Sequence, residues 1–278
     1  MSQQGPPQEA IQKLPVFQTV VTASAEVFSN LPSLAKAAAL PFAISLGISF
    51  LAWGSSGSPG TDMLLGLLGL IPYTYFGVAW HRYVLLGAER ATPSTLPPLA
   101  PRHGRFLFFA GLLFLIYALP NIAINQAAQP LLEVEGQPDP ELAAEVFAKV
   151  LPFFAILIVA FVLTLRFSVV FPAVAVDENY GLGDSWRHTR GQTLRLFLGL
   201  VLLVLPLAIT IAIVVSALTA ATAGGSNLPA ILASVALNYL GTGLTLAFIS
   251  TAFRECTGWV PDEAASPSSP TPMDEDRD

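Results

Sequence analysis

The chain has 278 residues, a formal net charge of −6, 53% apolar residues and only 12% charged ones, about half the charge of an ordinary soluble domain. So little charge speaks against a soluble all-α protein, whose helices need polar faces recurring along their length. The single cysteine, Cys256, rules out an intramolecular disulfide and offers no metal cluster.

Residues 1–13 include MSQQGPPQEAIQK, which lacks the basic start and short apolar core of a cleavable signal. They are expected to be disordered and the first span to be retained. An amphipathic helix follows over about residues 15–31, in PVFQTVVTASAEVFSNL. Val16, Phe17, Val20, Val21, Ser24, Val27, Phe28 and Leu31 share one face, with Gln18, Thr22, Glu26 and Ser29 opposite. It is too polar to span a bilayer. Its polar face carries no Lys or Arg, so packing against the rest of the protein is expected to hold it in the interface plane.

Six apolar runs then follow, near residues 37–53, 63–86, 106–125, 151–171, 196–221 and 228–253. Each approaches the roughly 20 residues that cross a bilayer as a helix, the form that pairs its backbone groups where no water reaches. The fold expected is an all-α polytopic membrane protein of six transmembrane helices and two in-plane amphipathic helices, occupying residues 14–258.

Between the fourth and fifth runs lies DENYGLGDSWRHTRG, a polar island with apolar walls. With Asp184 as N-cap, a second in-plane helix over about residues 182–194 places Leu182, Trp186, Thr189, Thr193 and Leu196 on one stripe. Gly191 turns the chain from lying on the membrane to crossing it. The tail over residues 259–278, rich in Pro, Ser and acid, is expected to be disordered.

Basic residues retain short loops in the cytoplasm. Lys13, Lys36, Arg82, Arg90, Arg102, Arg105, Arg187, Arg190, Arg195 and Arg254 fall on one side if the spans alternate, whereas the other side has Lys149 against Asp62, Glu133, Glu135, Asp139, Glu141 and Glu145. Both termini are therefore expected in the cytoplasm. Trp80, Arg82, Arg166, Trp186, Arg187, Arg190 and Arg254 are expected to anchor the chain at the headgroups. For Arg166, inside the fourth run, two readings stand: it snorkels to the interface, or it partners a buried polar site.

The halves resemble each other weakly. An in-plane helix precedes a span containing Pro41 in the first and Pro206 in the second, and the closing spans end AWHRYVLLG and TAFRECTG. Duplication and the chance likeness of membrane helices both account for this. Pro41, Pro206 and Gly191 are the expected helix breaks.

Chemistry is sparse. No Asp, Glu or His lies well inside a run, and His81, His103 and His188 are scattered singly, expected at the surface or facing headgroups. No spacing suits a metal, nucleotide, nucleic acid or nucleophilic centre, so neither a cofactor nor catalysis is expected. The polar residues at depth are neutral: Asn121, Asn125 and Gln126 in the third run, and Asn238, Tyr239, Thr242 and Thr245 in the sixth. Such groups join helices by packing and hydrogen bonds, or line a polar cavity as in transporters, with Asn121, Asn125, Asn238 and Arg166 its candidate lining.

The string AVDENYGLGDSWRHTRGQTLRLF, with AWHRYVLLGAE and PVFQTVVTASAEVFSNLPSLAKAAALPF, resembles the YciC-like bacterial inner-membrane proteins over about residues 14–258. That group is similar to the membrane domain fused to some glycerophosphodiester phosphodiesterases. The resemblance implies six spans, cytoplasmic termini and a bacterial inner membrane, and no established activity. A soluble catalytic domain is missing here, so phosphodiesterase activity is not carried over. The function expected is a structural, assembly or envelope-maintenance factor in contact with lipid and with a membrane-protein partner or a second copy; the alternative is a small-molecule or lipid permease.

Overall fold

The computed structural model describes residues 13–54, 58–89, 100–132, 139–222 and 228–261. The expectations for residues 1–12, Arg90, Glu133, Glu135 and the tail beyond 261 lie outside them. Among the described residues there are nine helices and no strand: α1 (Val16–Ser29), α2 (Leu31–Gly54), α3 (Pro59–Leu86), α4 (Pro101–Leu132), α5 (Pro140–Phe167), α6 (Val170–Ala175), α7 (Leu182–His188), α8 (Thr193–Ala221) and α9 (Leu228–Thr257). The all-α architecture agrees with the sequence, and α2, α3, α4, α5, α8 and α9 are long and apolar enough to cross a membrane.

Helix starts follow local chemistry. The Ser58 hydroxyl accepts the Thr61 N–H at 3.2 Å and Asp139 accepts the Glu141 N–H at 3.2 Å, each just before a proline that needs no hydrogen-bond acceptor in the first turn. The ends of α3 and α9 each meet a glycine in the left-handed region, Gly87 at φ 81° and Gly258 at φ 68°. Their amides bond back to Tyr83 O at 2.9 Å and Arg254 O at 2.8 Å.

Several expectations need correction. Pro41 and Pro206 do not break their helices; α2 and α8 run through them. A long apolar helix tolerates one missing N–H when its remaining backbone ladder and its neighbours hold it in place. Gly191, in contrast, is a break, at φ 77°. The fourth run is two elements rather than one: α5 stops at Phe167, and α6 is a separate, almost wholly buried turn and a half. Ser168 Oγ bonds Leu165 O at 2.9 Å, competing with the ladder, and Pro172 has no N–H to restore it.

The in-plane helix α7 closes at His188, with α8 starting at Thr193, so the expected helix over 182–194 ends early. Its N-cap is Gly181. Asp184 instead occupies the third helical position and accepts the Gly181 N–H at 3.0 Å.

The face that α1 buries also differs. Thr19, Ala23 and Val27 are buried, while Phe17, Val21 and Phe28 are 75%, 50% and 57% exposed. Hydrophobicity does not select the buried side here, because apolar side chains face lipid as readily as protein; close approach to α9 and α8 selects small ones.

At the centre α3 lies against α9, flanked by α2 and α8, with α4 on α3, α5 beyond α4, and α6 wedged beside α3, α4 and α9. Phe76, Trp80, Tyr239, Leu244, Ala247, Phe248 and Ala252 form its core. Glycines seat aromatic and aliphatic side chains across the crossings. A Cβ on Gly199 would lie 2.3 Å from Phe248, one on Gly77 2.7 Å from Phe106, and one on Gly243 2.7 Å from Leu34.

Burial is uneven along the helices. It concentrates where α3 and α9 end and α8 begins, in Phe76–Leu85, Tyr239–Phe253 and Leu196–Leu203, whereas the later half of α8 is mostly exposed. One end of the molecule is thus the more densely packed, protein on protein.

Candidate functional site

The polar island is gathered onto the packed end by arginines. α6 finishes in a Schellman turn: Glu178 N–H bonds Ala173 O at 3.0 Å, Asp177 N–H bonds Val174 O at 3.2 Å, and Asp177 takes φ 67°. That turn aims the Asp177 carboxylate at two guanidiniums, Arg82 at 3.2 Å and Arg102. Arg82 also donates to Ala175 O at 2.9 Å, and Arg105 donates to Glu178 O at 3.3 Å and Tyr180 O at 3.2 Å. Trp259 Nε1 donates to the Glu178 carboxylate at 2.7 Å. The Tyr180 hydroxyl lies 2.9 Å from His188 Nδ1. Burial, reinforced by the nearby Asp184 and Cys256, pushes this phenol up, with Arg187 acting in the opposite sense.

Arg166 fixes α7. Its guanidinium lies 3.5 Å from the Trp186 ring centroid and donates to Trp186 O at 3.1 Å, while its carbonyl accepts from Ser185 Oγ at 2.6 Å. Arg166 therefore meets a protein partner, though at the end of the bundle and not in a mid-membrane site. Arg254 reaches across to α3 and donates to Val84 O at 3.0 Å and Leu85 O at 2.5 Å.

The expected headgroup anchors thus divide into two kinds. Trp186, Arg187 and Arg190 are exposed, Arg187 pairing with Asp184. Arg82, Arg166 and Arg254 are committed to backbone carbonyls. Trp80 is no anchor at all: it is fully buried, with Nε1 donating to Gly243 O at 2.9 Å. Two histidines also depart from their expected surface positions. His103 is buried, and His81 is fully buried with Nδ1 2.7 Å from Ser250 Oγ. Ser250 spends its own hydrogen on Leu246 O at 2.9 Å, so His81 Nδ1 carries the hydrogen between them. Helical periodicity alone could not place these rings inward, because every face of these helices is apolar.

The expected cavity of Asn121, Asn125, Asn238 and Arg166 does not assemble. Asn121 and Asn125 are exposed on α4, and Asn121 bonds the Tyr117 carbonyl of its own helix, at 2.8 Å. Asn238 belongs to a different grouping. Its Oδ1 accepts from Tyr73 Oη at 2.6 Å; the Tyr73 ring stacks on Tyr239 at 5.2 Å, and Tyr239 Oη lies 2.8 Å from Ser45 Oγ.

These residues edge a cleft of about 310 Å³ between α2, α3, α8 and α9, lined by Ser45, Ser49, Tyr73, Ser234 and Asn238 with Ile48, Ile211 and Val235. A further cleft of about 450 Å³, between α2, α8 and α9, shares Ser49 and Ser234 with it and adds Thr219. Among the described residues no Lys, Arg, Asp, Glu or His lines either one.

Sequence reasoning reached Asn238 and Tyr239 but missed Ser45, Ser49, Tyr73 and Ser234. A signal was present: Ser45 and Ser49 stand four apart, as do Ser234 and Asn238, so each pair shares one helix face. Among the described residues no three His, Cys, Asp or Glu side chains gather closely enough to hold a metal ion. No family model, curated protein or solved structure matches this chain.

Proposed function

We propose that this chain is an integral protein of the bacterial inner membrane, with both termini in the cytoplasm, that acts as a structural or assembly factor of the envelope and has no catalytic centre. The arginine-clasped end carries this reading. There α3, α5, α6, α7 and α9 are cross-tied by charge-assisted bonds to backbone carbonyls, which hold Trp186, Arg187 and Arg190 outward as a fixed, positively charged surface. A rigid platform suits docking of a membrane partner better than it suits alternating access. The cytoplasmic side follows from the basic loops, and the resemblance to YciC-like proteins belongs to the same proposal.

The test couples two measurements on the full chain in mild detergent and in proteoliposomes. A discrete membrane-protein partner is expected to co-purify with the wild type and to be lost from Arg190→Glu, which alters an exposed side chain, while proteoliposomes pass no solute or lipid of a broad panel. The permease reading is favoured by the hydroxyl-lined cleft. Flux that disappears on Asn238→Leu, with no partner captured, would replace the first reading by the second.

A further inference from the structure

The two hydroxyl-bearing clefts are one space. Ser49 of α2 and Ser234 of α9 line both, so the cleft of about 450 Å³ that adds Thr219 and Ala230 continues into the one of about 310 Å³ that ends on Tyr73 and Asn238. Its direction follows from helix register. Thr219 stands close to the end of α8 at Ala221, and Ala230 close to the start of α9 at Leu228, so the space begins at the end of the bundle away from the arginines. Asn238 lies about 15 Å along α9 from Leu228.

The hydroxyls along this path spend their hydrogens on their own helices. Ser49 Oγ donates to Ser45 O, Ser234 Oγ to Ile231 O and Thr219 Oγ1 to Val215 O, each at 2.9 Å, so what each oxygen has left to offer is lone pairs. At the deep end the pattern reverses. Asn238 Oδ1 is taken by Tyr73, and its exposed Nδ2 donates no hydrogen bond among the described residues. An amide N–H pair that far along a spanning helix is destabilising in hydrocarbon unless it meets an acceptor, and water supplies one. The space is large enough for water, which takes about 30 Å³ per molecule. A guest entering it meets acceptors at the hydroxyls, two donors at one amide, and no charge. An anion there finds no cation and a cation finds no carboxylate, whereas a molecule with several hydroxyls both donates to the serines and accepts from the amide.

We propose that this space is an aqueous vestibule that binds a small uncharged polyol, with one polyol oxygen accepting from Asn238 Nδ2, other hydroxyls donating to Ser49 and Ser234, and Thr219 at the entrance. Ser234 and Asn238 stand one helical turn apart, about 6 Å, which a chain of three or four hydroxyl-bearing carbons spans. Binding of this kind needs no alternating access. The proposal requires only that the chain spans a membrane, and it stands apart from the docking role of the arginine-clasped end.

The experiment uses the full chain with Cys256→Ala in lipid nanodiscs, where both faces meet the reagent, and places a single thiol by Ser49→Cys, by Ser234→Cys or, at an exposed apolar position of α5, by Ile158→Cys. A charged methanethiosulfonate reacts with thiolate, which forms in water and not in hydrocarbon, so Ser49→Cys and Ser234→Cys are expected to react about ten-fold faster than Ile158→Cys. Glycerol and erythritol are expected to slow the reaction at Ser49→Cys and to leave Ser58→Cys, exposed and outside the cleft, unchanged. Glycerol 3-phosphate, which adds charge to the same hydroxyls, is expected to slow neither. Asn238→Leu is expected to weaken the protection about five-fold, as for loss of one neutral hydrogen bond. Ser234→Val, which narrows the space and leaves the Tyr73–Asn238 pair in place, should weaken it too and carries the test if Asn238→Leu does not fold. Reaction at Ser49→Cys no faster than at Ile158→Cys, fast reaction with no protection by either polyol, equal protection by glycerol 3-phosphate, or unchanged protection in Ser234→Val would overturn the assignment.

Discussion

The guanidinium of Arg254 completes a helix that is not its own. Gly87 N–H satisfies Tyr83 O, which leaves Val84 and Leu85 as carbonyls near the end of α3, and Arg254 donates to both. Arg254→Met keeps much of the stem packing and removes those donors. It should lower stability by about 1.5–3 kcal/mol, the worth of hydrogen bonds to a charged group, read as reduced resistance to unfolding in detergent. Tyr180 gives a pH-dependent counterpart. Its phenol is raised in the folded protein, so its contribution is complete below the ordinary value of about 10 and is lost as pH rises through the folded one. Thermal stability should be flat near neutrality and decline above about pH 10, and Tyr180→Phe should remove part of that decline. The arginines were legible as residues at helix exits. Whether each turns outward to headgroups or inward to a carbonyl depends on which helix end stands opposite, and a one-dimensional charge map does not contain that.

Among the elements, the long spans were the most legible, because twenty apolar residues in a row have few other structures open to them. Short elements were not. α6 sits inside a continuous apolar run, where only Ser168 and Pro172 mark the break, and α7 is shorter than its stripe of residues suggested because Gly191 and the turn before it intervene. Pairings between spans depend on side-chain size more than on polarity. Gly199 is the sharpest case: Phe248 is fully buried and cannot swing away from a new Cβ at 2.3 Å. Gly199→Ala should therefore destabilise α8 against α9 by about 1–3 kcal/mol, as overpacking does. The same substitution at Gly111, inside α4 where a Cβ meets nothing, is the control and should leave thermal unfolding in detergent unchanged or slightly raised, since alanine favours the helix.

For the molecule as a whole, the number of spans and the contrast between its ends came from different sources. Apolar runs give the first. The second, a tight end cross-tied by arginines and a less buried remainder, arises from which small residues oppose which rings, and helices apolar on every side do not advertise that. This is why Asn238 was recognised while its true companions, Tyr73 and the serines of α2, were not. Orientation is testable directly. In a Cys256→Ala background, Ser58→Cys should react with a membrane-impermeant maleimide in intact spheroplasts, whereas Gly183→Cys should react only after permeabilisation. Both positions are exposed, and a Cβ at 183 meets nothing within 4 Å. The reverse pattern would invert the proposed topology.

The seat of α1 has a consequence for how the protein is made. Leu14 N–H bonds the Gln192 side chain at 3.2 Å, Leu14 O accepts from Arg195 at 2.9 Å, and Thr19 Oγ1 donates to Glu255 at 2.8 Å. Of the described helices, the one synthesised earliest thus finds its partners on the two synthesised latest. Until α8 and α9 are made it lacks those partners, and a nascent chain halted before α9 would keep Thr19 and Ala23 uncovered, a mark of incompleteness open to cellular proteases.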